Sequence, residues 1–193
     1  MIELQLPVSV EEIRKLEVGD EVLITGTLIT ARDAAHKYLV ENDASEVKAV
    51  LQGGMIYHCG PVVRKEGAGW RFVAAGPTTS SREEPYEAEV IARYGVRAVI
   101  GKGGMGERTL NACREHGAVY LHAIGGLAVL LAQAVQKVVT VHKLEEFGVP
   151  EAMWVIEVEK FPAVVTMDAH GNSLHREILE KSRAQAQKIL ASL

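Results

Sequence analysis

The sequence predicts an α/β fold in one domain over residues 1–193, with a β-rich first half. Three observations carry this. Residues 97–135 read strand, helix, strand, helix, the pattern of locally parallel sheet. Residues 1–75 hold short β-branched runs separated by glycines. Hydrophobic residues make up 48% of the chain, enough to bury a core and too many for a disordered polymer.

The elements follow in order. Residues 3–7 predict a short strand. Ser9 and Glu12 form a capping box for a helix of one or two turns, with Val8 and Ile13 as its hydrophobic staple. Residues 21–30, EVLITGTLIT, predict a strand broken by Gly26 at a bulge. Thr30 is the expected N-cap of the next helix, with Asp33 at its third position and an end near Asn42. Residues 49–51 and 55–63 are apolar runs separated by Gly53 and Gly54. Residues 62–75 predict a hairpin around the connection 66–69. A helix over 83–94 ends at Gly95, and one over 107–116 ends at Gly117. Strands are expected at 97–100, 119–124, 138–142, 154–158 and 163–167, and an apolar helix at 127–135. Trp70 and Trp154 belong to strands and to the core. The last twenty residues predict a weakly amphipathic helix with Leu174, Ile178, Ile189 and Leu190 on one side.

Composition excludes several functions. A net charge of −4 argues against a broad basic face for nucleic acid, so any anion site must be local. Cys59 and Cys113 make neither a C-x-x-C motif nor a disulfide framework, which favours a reducing compartment. The N-terminus has no basic region followed by an apolar core, and the longest uncharged stretch, 121–136, is too short and broken to span a bilayer. A cytoplasmic protein is expected.

The stretch that invites function is GPTTSSR, residues 76–82: four consecutive hydroxyls and a guanidinium between a strand end and a helix start. Capping the helix needs one hydroxyl, so the surplus points to an anion. Three cations occupy electrostatically unfavourable places. Arg32 and Arg82 open helices, and Lys102 precedes one. A cation at the positive end of a helix dipole costs about 0.3–1 kcal/mol. In an α/β sheet such strand-to-helix junctions gather at the carboxyl edge, where ligands bind. An anion there recovers the cost, since a charge-assisted hydrogen bond contributes about 1.5–3 kcal/mol. The ordinary alternative is local pairing: Arg32 with Asp33, Arg82 with Glu83, Lys102 with Glu107.

Gly101, Gly103, Gly104 and Gly106 allow close backbone approach and positive φ, yet match neither a P-loop nor a GxGxxG fingerprint. A small anion without a base or ribose fits better than a nucleotide. The seven histidines form no HxxxH or HExxH, so no metal motif emerges and no metal is expected on this chain. His58 and Cys59 are adjacent and point apart in a strand. His36, one turn from Arg32, is placed to orient that arginine or to meet a ligand. Cys113 reads as an inert packed thiol. Thr78 and Thr79 read either as turn and capping residues or as ligand contacts.

Five segments in register then carry a resemblance: TGTLITARDAAHK (25–37), GPTTSSR (76–82), GKGGM (101–105), YLHAIGGLAVLLAQ (120–133) and MWVIEVEKFPAVVTMDAHGN (153–172). Together they resemble the β subunit of class I iron–sulfur fumarate hydratases and L-tartrate dehydratases, which corresponds to the C-terminal domain of the one-chain enzymes. The resemblance implies a swivelling β/β/α domain with mixed sheet and flanking helices. It implies a partner α subunit that carries a 4Fe-4S cluster with one open iron, a Lewis acid for the substrate hydroxyl. It implies that Arg32, Arg82 and Lys102 bind a small dicarboxylate, that Thr78 is the base position, and that Asp33, His36, Thr79, Gly101 and Gly103 support them. It implies reversible hydration of fumarate to (S)-malate, or dehydration of L-tartrate or another C4 diacid, by a chain inactive alone. His122 and Leu127, flanking the AIGG turn, are bulkier than expected of many relatives. A non-catalytic anion-binding domain is the reading from a different class. A heterodimer is expected, with self-association possible for the isolated chain.

Overall fold

The computed structural model describes residues 1–191. β1 (Ile2–Gln5) leads into the single-turn helix α1 (Val10–Ile13). The capping box is present: Ser9 Oγ accepts from the Glu12 N–H and the Glu12 carboxylate accepts from the Ser9 N–H. Val8 and Ile13 are both buried, as a staple requires. β2 (Glu21–Thr30) shifts register between Ile24 and Gly26, where the glycine sits at φ +125°. A Cβ there would meet Leu6, so the bulge needs glycine both for φ and for space.

Next come α2 (Asp33–Glu41), α3 (Ser45–Leu51) and β3 (Met55–Tyr57). The apolar run at 49–51 is thus the last turn of a helix. β4 (Val62–Glu66) and β5 (Gly69–Ala74) form the expected hairpin as a separate two-stranded sheet. A 3-10 turn (Ser80–Arg82) precedes α4 (Glu84–Tyr94). β6 (Ala98–Gly101), α5 (Glu107–His116) and β7 (Val119–His122) make the βαβ unit. Gly95 and Gly117 close α4 and α5 in the left-handed region, at φ +67° and +66°. The chain ends with α6 (Ala128–Gln133), β8 (Val135–His142), α7 (Leu144–Phe147), β9 (Met153–Met167) and α8 (Leu174–Leu190).

The described residues form a seven-stranded mixed sheet in the order β1-β2-β3-β6-β7-β9-β8. β1, β2, β3, β6 and β7 run parallel, and β9 is antiparallel to its neighbours. β9 pairs with β7 and also with β2, so β2, β3, β6, β7 and β9 close into a ring. Alternation along the strands sorts the core into two. Met55, Tyr57, Ala98, Ile100, Val119, Leu121, Trp154 and Ile156 face one cluster with α1, α6 and the hairpin. Ile56, Val99, Tyr120, Met153 and Val155 face the other, under α2, α3, α4 and α5. Burial on both faces explains the uninterrupted apolar runs of these strands.

Two expectations about elements are corrected, and a third element forms as expected without being buried. Thr30 does not cap α2. It ends β2, where its hydroxyl accepts from the Trp154 N–H and donates to the Ala152 carbonyl, and the N-cap is Arg32. The two expected strands at 154–158 and 163–167 are one strand, β9, which bends at Lys160 (φ +50°) and continues through Pro162 because different neighbours pair with its two halves. α8 has no buried residue, and Ile178, Leu179, Ile189 and Leu190 are exposed. Trp154 is fully buried, whereas Trp70 is half-buried against it, edge to face at 5.4 Å.

Candidate functional site

Because β2, β3, β6 and β7 are parallel, the loops leaving them share one edge of the sheet. That edge collects Arg32 after β2, His58 after β3, the GKGG loop after β6 and the AIGG turn after β7. The segment 76–82 reaches it through the hairpin and is stitched in by its backbone. The Thr78 N–H donates to the His58 carbonyl at 2.6 Å, the Lys102 N–H to the Thr78 carbonyl at 3.1 Å, and the Ser80 N–H to the Lys102 carbonyl at 2.9 Å. Thr79 and Lys102 form an isolated parallel bridge.

Of the three cations, Arg32 keeps the expected neighbour, Asp33, while Arg82 and Lys102 pair elsewhere. Arg82 reaches across to Asp33 on α2 with two bonds, Nε to Oδ1 at 3.1 Å and Nη2 to Oδ2 at 2.7 Å. Arg32 lies 3.2 Å from Glu151 and 3.9 Å from the same Asp33 carboxylate, and its Nε is buried without a hydrogen-bond partner among the described residues. Lys102 Nζ donates to the Pro77 carbonyl at 2.7 Å. Glu107 pairs instead with Arg176 at 3.2 Å. Asp33 therefore links two of the three cations, and the 76–82 segment links the third to Arg82.

Helix ends were expected to help hold the anion, and here the structure differs. Glu151 accepts from the Ala34 N–H at the start of α2. Glu84 accepts from the N–H groups of Gly106, Arg108 and Thr109 at the start of α5, and from the Thr109 hydroxyl. Both N-termini are already capped by carboxylates of distant segments. No hydroxyl of GPTTSSR caps the 3-10 turn or α4 by its side chain. Capping is therefore not what Thr78 and Thr79 do. Thr78 is half-buried and Thr79 exposed.

Beneath this edge lies a polar cluster that sequence reading did not assemble. His36, His58, Ser80, Glu83 and Glu87 are all fully buried. The Tyr120 hydroxyl donates to Ser80 Oγ at 2.8 Å, Ser80 Oγ and His58 Nδ1 are hydrogen-bonded at 2.9 Å, and His58 Nε2–H donates to Glu87 Oε2 at 3.0 Å. His36 Nδ1–H donates to the Arg32 carbonyl at 2.9 Å, and its Nε2 lies 3.0 Å from Glu87 Oε2. That last contact is off the line of a good hydrogen bond, so it is an ion pair rather than an aligned bond. Gly101 is part of the fit, since a Cβ there would collide with Ser80 Oγ. Gly103 serves the turn itself, at φ +83°. His36 thus contacts the backbone of Arg32, and its ring is shut away from solvent.

Burial opposes charge on every member of this cluster, and neighbours decide the outcome. Burial alone would lower His36, but Glu87 reverses this and holds it above the ordinary histidine value. His58 is pushed down by burial. Glu87 is held near 2, the two histidines overcoming burial. Glu83, buried with neither oxygen partnered among the described residues, is raised to about 7. One signal of the cluster was present in the sequence. Glu83 and Glu87 share a helix face with Val90, Ile91 and Tyr94, so two acids lie on an apolar stripe.

One ligand atom from each of His36, His58 and Glu87 lies within 4.8 Å of the others, a grouping that no sequence motif marks. Cys59 and Cys113 belong to opposite core clusters, and burial pushes the Cys59 thiol up to about 12 and that of Cys113 further still. Among the described residues no helix is long and apolar enough to cross a membrane.

Fold and site define a class: a mixed-sheet α/β domain that presents three cations and a hydroxyl-rich segment along one sheet edge. The sequence profile of the Fumarase C-terminus family matches residues 1–178, and the chain belongs to that family. It is 56% identical over 183 residues to a Geobacillus stearothermophilus protein whose name places it with class I fumarate hydratase, covering 94% of this chain and 35% of that relative. It is 42% identical over 175 residues to the L(+)-tartrate dehydratase subunit beta of Escherichia coli K12, covering 90% of this chain and 86% of that one. A Methanocaldococcus jannaschii chain with a name of the same kind is 43% identical over 174 residues, 89% of both chains. The chain thus spans about a third of the first relative and nearly all of the other two.

Proposed function

We propose that this chain is the β subunit of an iron–sulfur-dependent hydro-lyase. It would supply the dicarboxylate grip for reversible hydration of fumarate to (S)-malate, in a site shared with a cluster-bearing α subunit. The observation that carries the reading is the meeting of Arg32 and Arg82 on Asp33, with Lys102 laced to the same 76–82 segment. In a chain of net charge −4 that concentration of cations has a local purpose. A dicarboxylate displaces the weak surface pairings and is held at both ends. Arg82 and Lys102 stabilise the negative charge that builds on the carboxylate as the neighbouring carbon loses its proton. Thr78 is the proton acceptor in this reading, its backbone fixed by bonds on both sides and its hydroxyl made more acidic by nearby cations. Thr79, Asp33 and His36 support these groups.

Cys59 and Cys113 do not fit a 4Fe-4S cluster, being few, buried and far apart in the packing. In this reading the cluster belongs to the partner α subunit, the pair works in the cytoplasm, and this chain alone is inactive. L-tartrate is the second substrate reading, favoured by the relatives that match almost end to end and are named for it. The test is anaerobic co-expression with a cluster-bearing α subunit, following the loss of fumarate absorbance, with L-tartrate and mesaconate in parallel. Hydration of fumarate supports the first reading and turnover of L-tartrate alone supports the second. Activity that survives Lys102→Met and Arg82→Ala removes the proposed grip.

A further inference from the structure

The two limbs of the proposed grip are tied to one buried carboxylate. On one side His36 Nδ1–H holds the Arg32 carbonyl. On the other, His58 holds Ser80 through its ring and Thr78 through its own carbonyl. Both imidazoles converge on Glu87 Oε2, each at 3.0 Å.

The donors and acceptors leave little choice of protonation. A carbonyl only accepts, so His36 Nδ1 carries a proton. Its Nε2 lies 3.0 Å from Glu87 Oε2, and a proton there makes that close contact attractive, whereas a bare nitrogen beside the carboxylate would be repelled. His36 is therefore an imidazolium. Tyr120 donates to Ser80 Oγ, so the Ser80 hydroxyl proton is free to go to His58 Nδ1. His58 then carries its proton on Nε2 and is neutral. The net result is one buried ion pair with a neutral imidazole beside it. The other ionisable groups facing the cluster are Asp33 and Arg32 on the α2 side, Glu83 at the start of α4, Cys113 on α5 and Tyr120 on β7.

We infer that Glu87, His36 and His58 are positioning residues that lock the Arg32 limb to the Thr78–Arg82 segment, and that the lock requires His36 as imidazolium and His58 as neutral imidazole. The inference rests on the carboxylate-binding reading above. Loosening the lock separates the cations that must grip one diacid together, so it acts on binding. A purely structural role would instead reduce the fraction of active enzyme, lowering apparent kcat at an unchanged KM.

The test uses Glu87→Gln in the assembled two-subunit enzyme with fumarate and L-tartrate. KM for the turned-over diacid is expected to rise about tenfold, with kcat changed less than threefold. Where Glu87→Gln fails to assemble, Ser80→Ala removes only the hydroxyl joining His58 to Tyr120, and a rise of about threefold in KM is expected. Lys102→Met is the parallel control. If it leaves KM unchanged the binding reading falls; if it acts while Glu87→Gln does not, only the lock falls. A readout independent of substrate is 15N NMR of histidine-labelled full chain, assigned with His36→Gln and His58→Gln. It should show one ring that stays an imidazolium at a pH where an ordinary histidine is neutral, and one Nε2–H ring that stays neutral at a pH where an ordinary histidine is protonated. Ordinary titration of both rings, or a stoichiometric transition metal retained by wild type and lost in His58→Gln, would overturn the inference.

Discussion

Two layers of the same sheet edge contrast sharply. The outer layer, Arg32, Asp33, Arg82 and Lys102, is partly solvated: the Arg82 side chain is 53% exposed, Asp33 35% and Arg32 19%. An exposed pair such as Arg82–Asp33 contributes about 0–1 kcal/mol, so in the proposed function a substrate carboxylate exchanges with it at little cost. The layer beneath, His36, His58, Ser80 and Glu87, is sealed. There, breaking a pair strands a charge and costs several kcal/mol. In the proposed function, groups that change partners stay near water, and groups that hold still are kept from it.

Removing the buried charge centre should have the largest effect. Glu87→Ala leaves the His36 imidazolium uncompensated, and urea unfolding of the chain should show a loss of about 3–5 kcal/mol. Lys102→Met probes the outer layer. One lost charge-assisted bond is about 1.5–3 kcal/mol, so kcat/KM of the assembled enzyme should fall on the order of 100-fold while thermal stability barely moves.

Glu83 sharpens the comparison through pH. Its folded value of about 7 lies above the ordinary 4.5, so the folded state binds this proton more tightly than the unfolded chain. Stability from this group is full below about pH 4.5 and is lost as pH rises through 7. Glu83→Gln should therefore stabilise the chain at pH 8, by about 2 kcal/mol, and much less at pH 5, as thermal melts at the two pH values would show. Glu87 runs the other way. Held near 2, it contributes stability above the ordinary carboxylate value that is lost only as pH falls toward 2. The smallest effect belongs to Asp33→Asn, within about 1 kcal/mol of wild type by the same unfolding assay. A loss of several kcal/mol there would erase the distinction between the layers.

Much of the fold was legible because its signals are local. The Ser9 capping box, the Gly26 bulge, the hairpin over 62–75 and the glycine ends of α4 and α5 each depend on a few adjacent residues. Thr30 misled for the opposite reason. A threonine before Ala-Arg-Asp looks like a cap, but strand pairing with β3 and β9 claims it, and Glu151 from far along the chain does the capping. The continuity of β9 was likewise not legible, because the partners that keep both halves extended lie elsewhere in the sequence.

The site divided along the same line. Arg32, Arg82 and Lys102 stood out because a cation at a helix start is locally unfavourable, and that anomaly is visible in the sequence alone. Their partners were not visible. Asp33 beside Arg32 belongs chiefly to Arg82, Glu83 beside Arg82 pairs with nothing among the described residues, and His58 finds Glu87 across 29 positions. Sequence by itself determined the α/β class, most element ends, the family and the unusual cations, because each is written in short-range pattern. Only the tertiary structure decided which charges meet and which histidine is charged, because hydrogen-bond geometry and burial are set by residues brought together across the sheet.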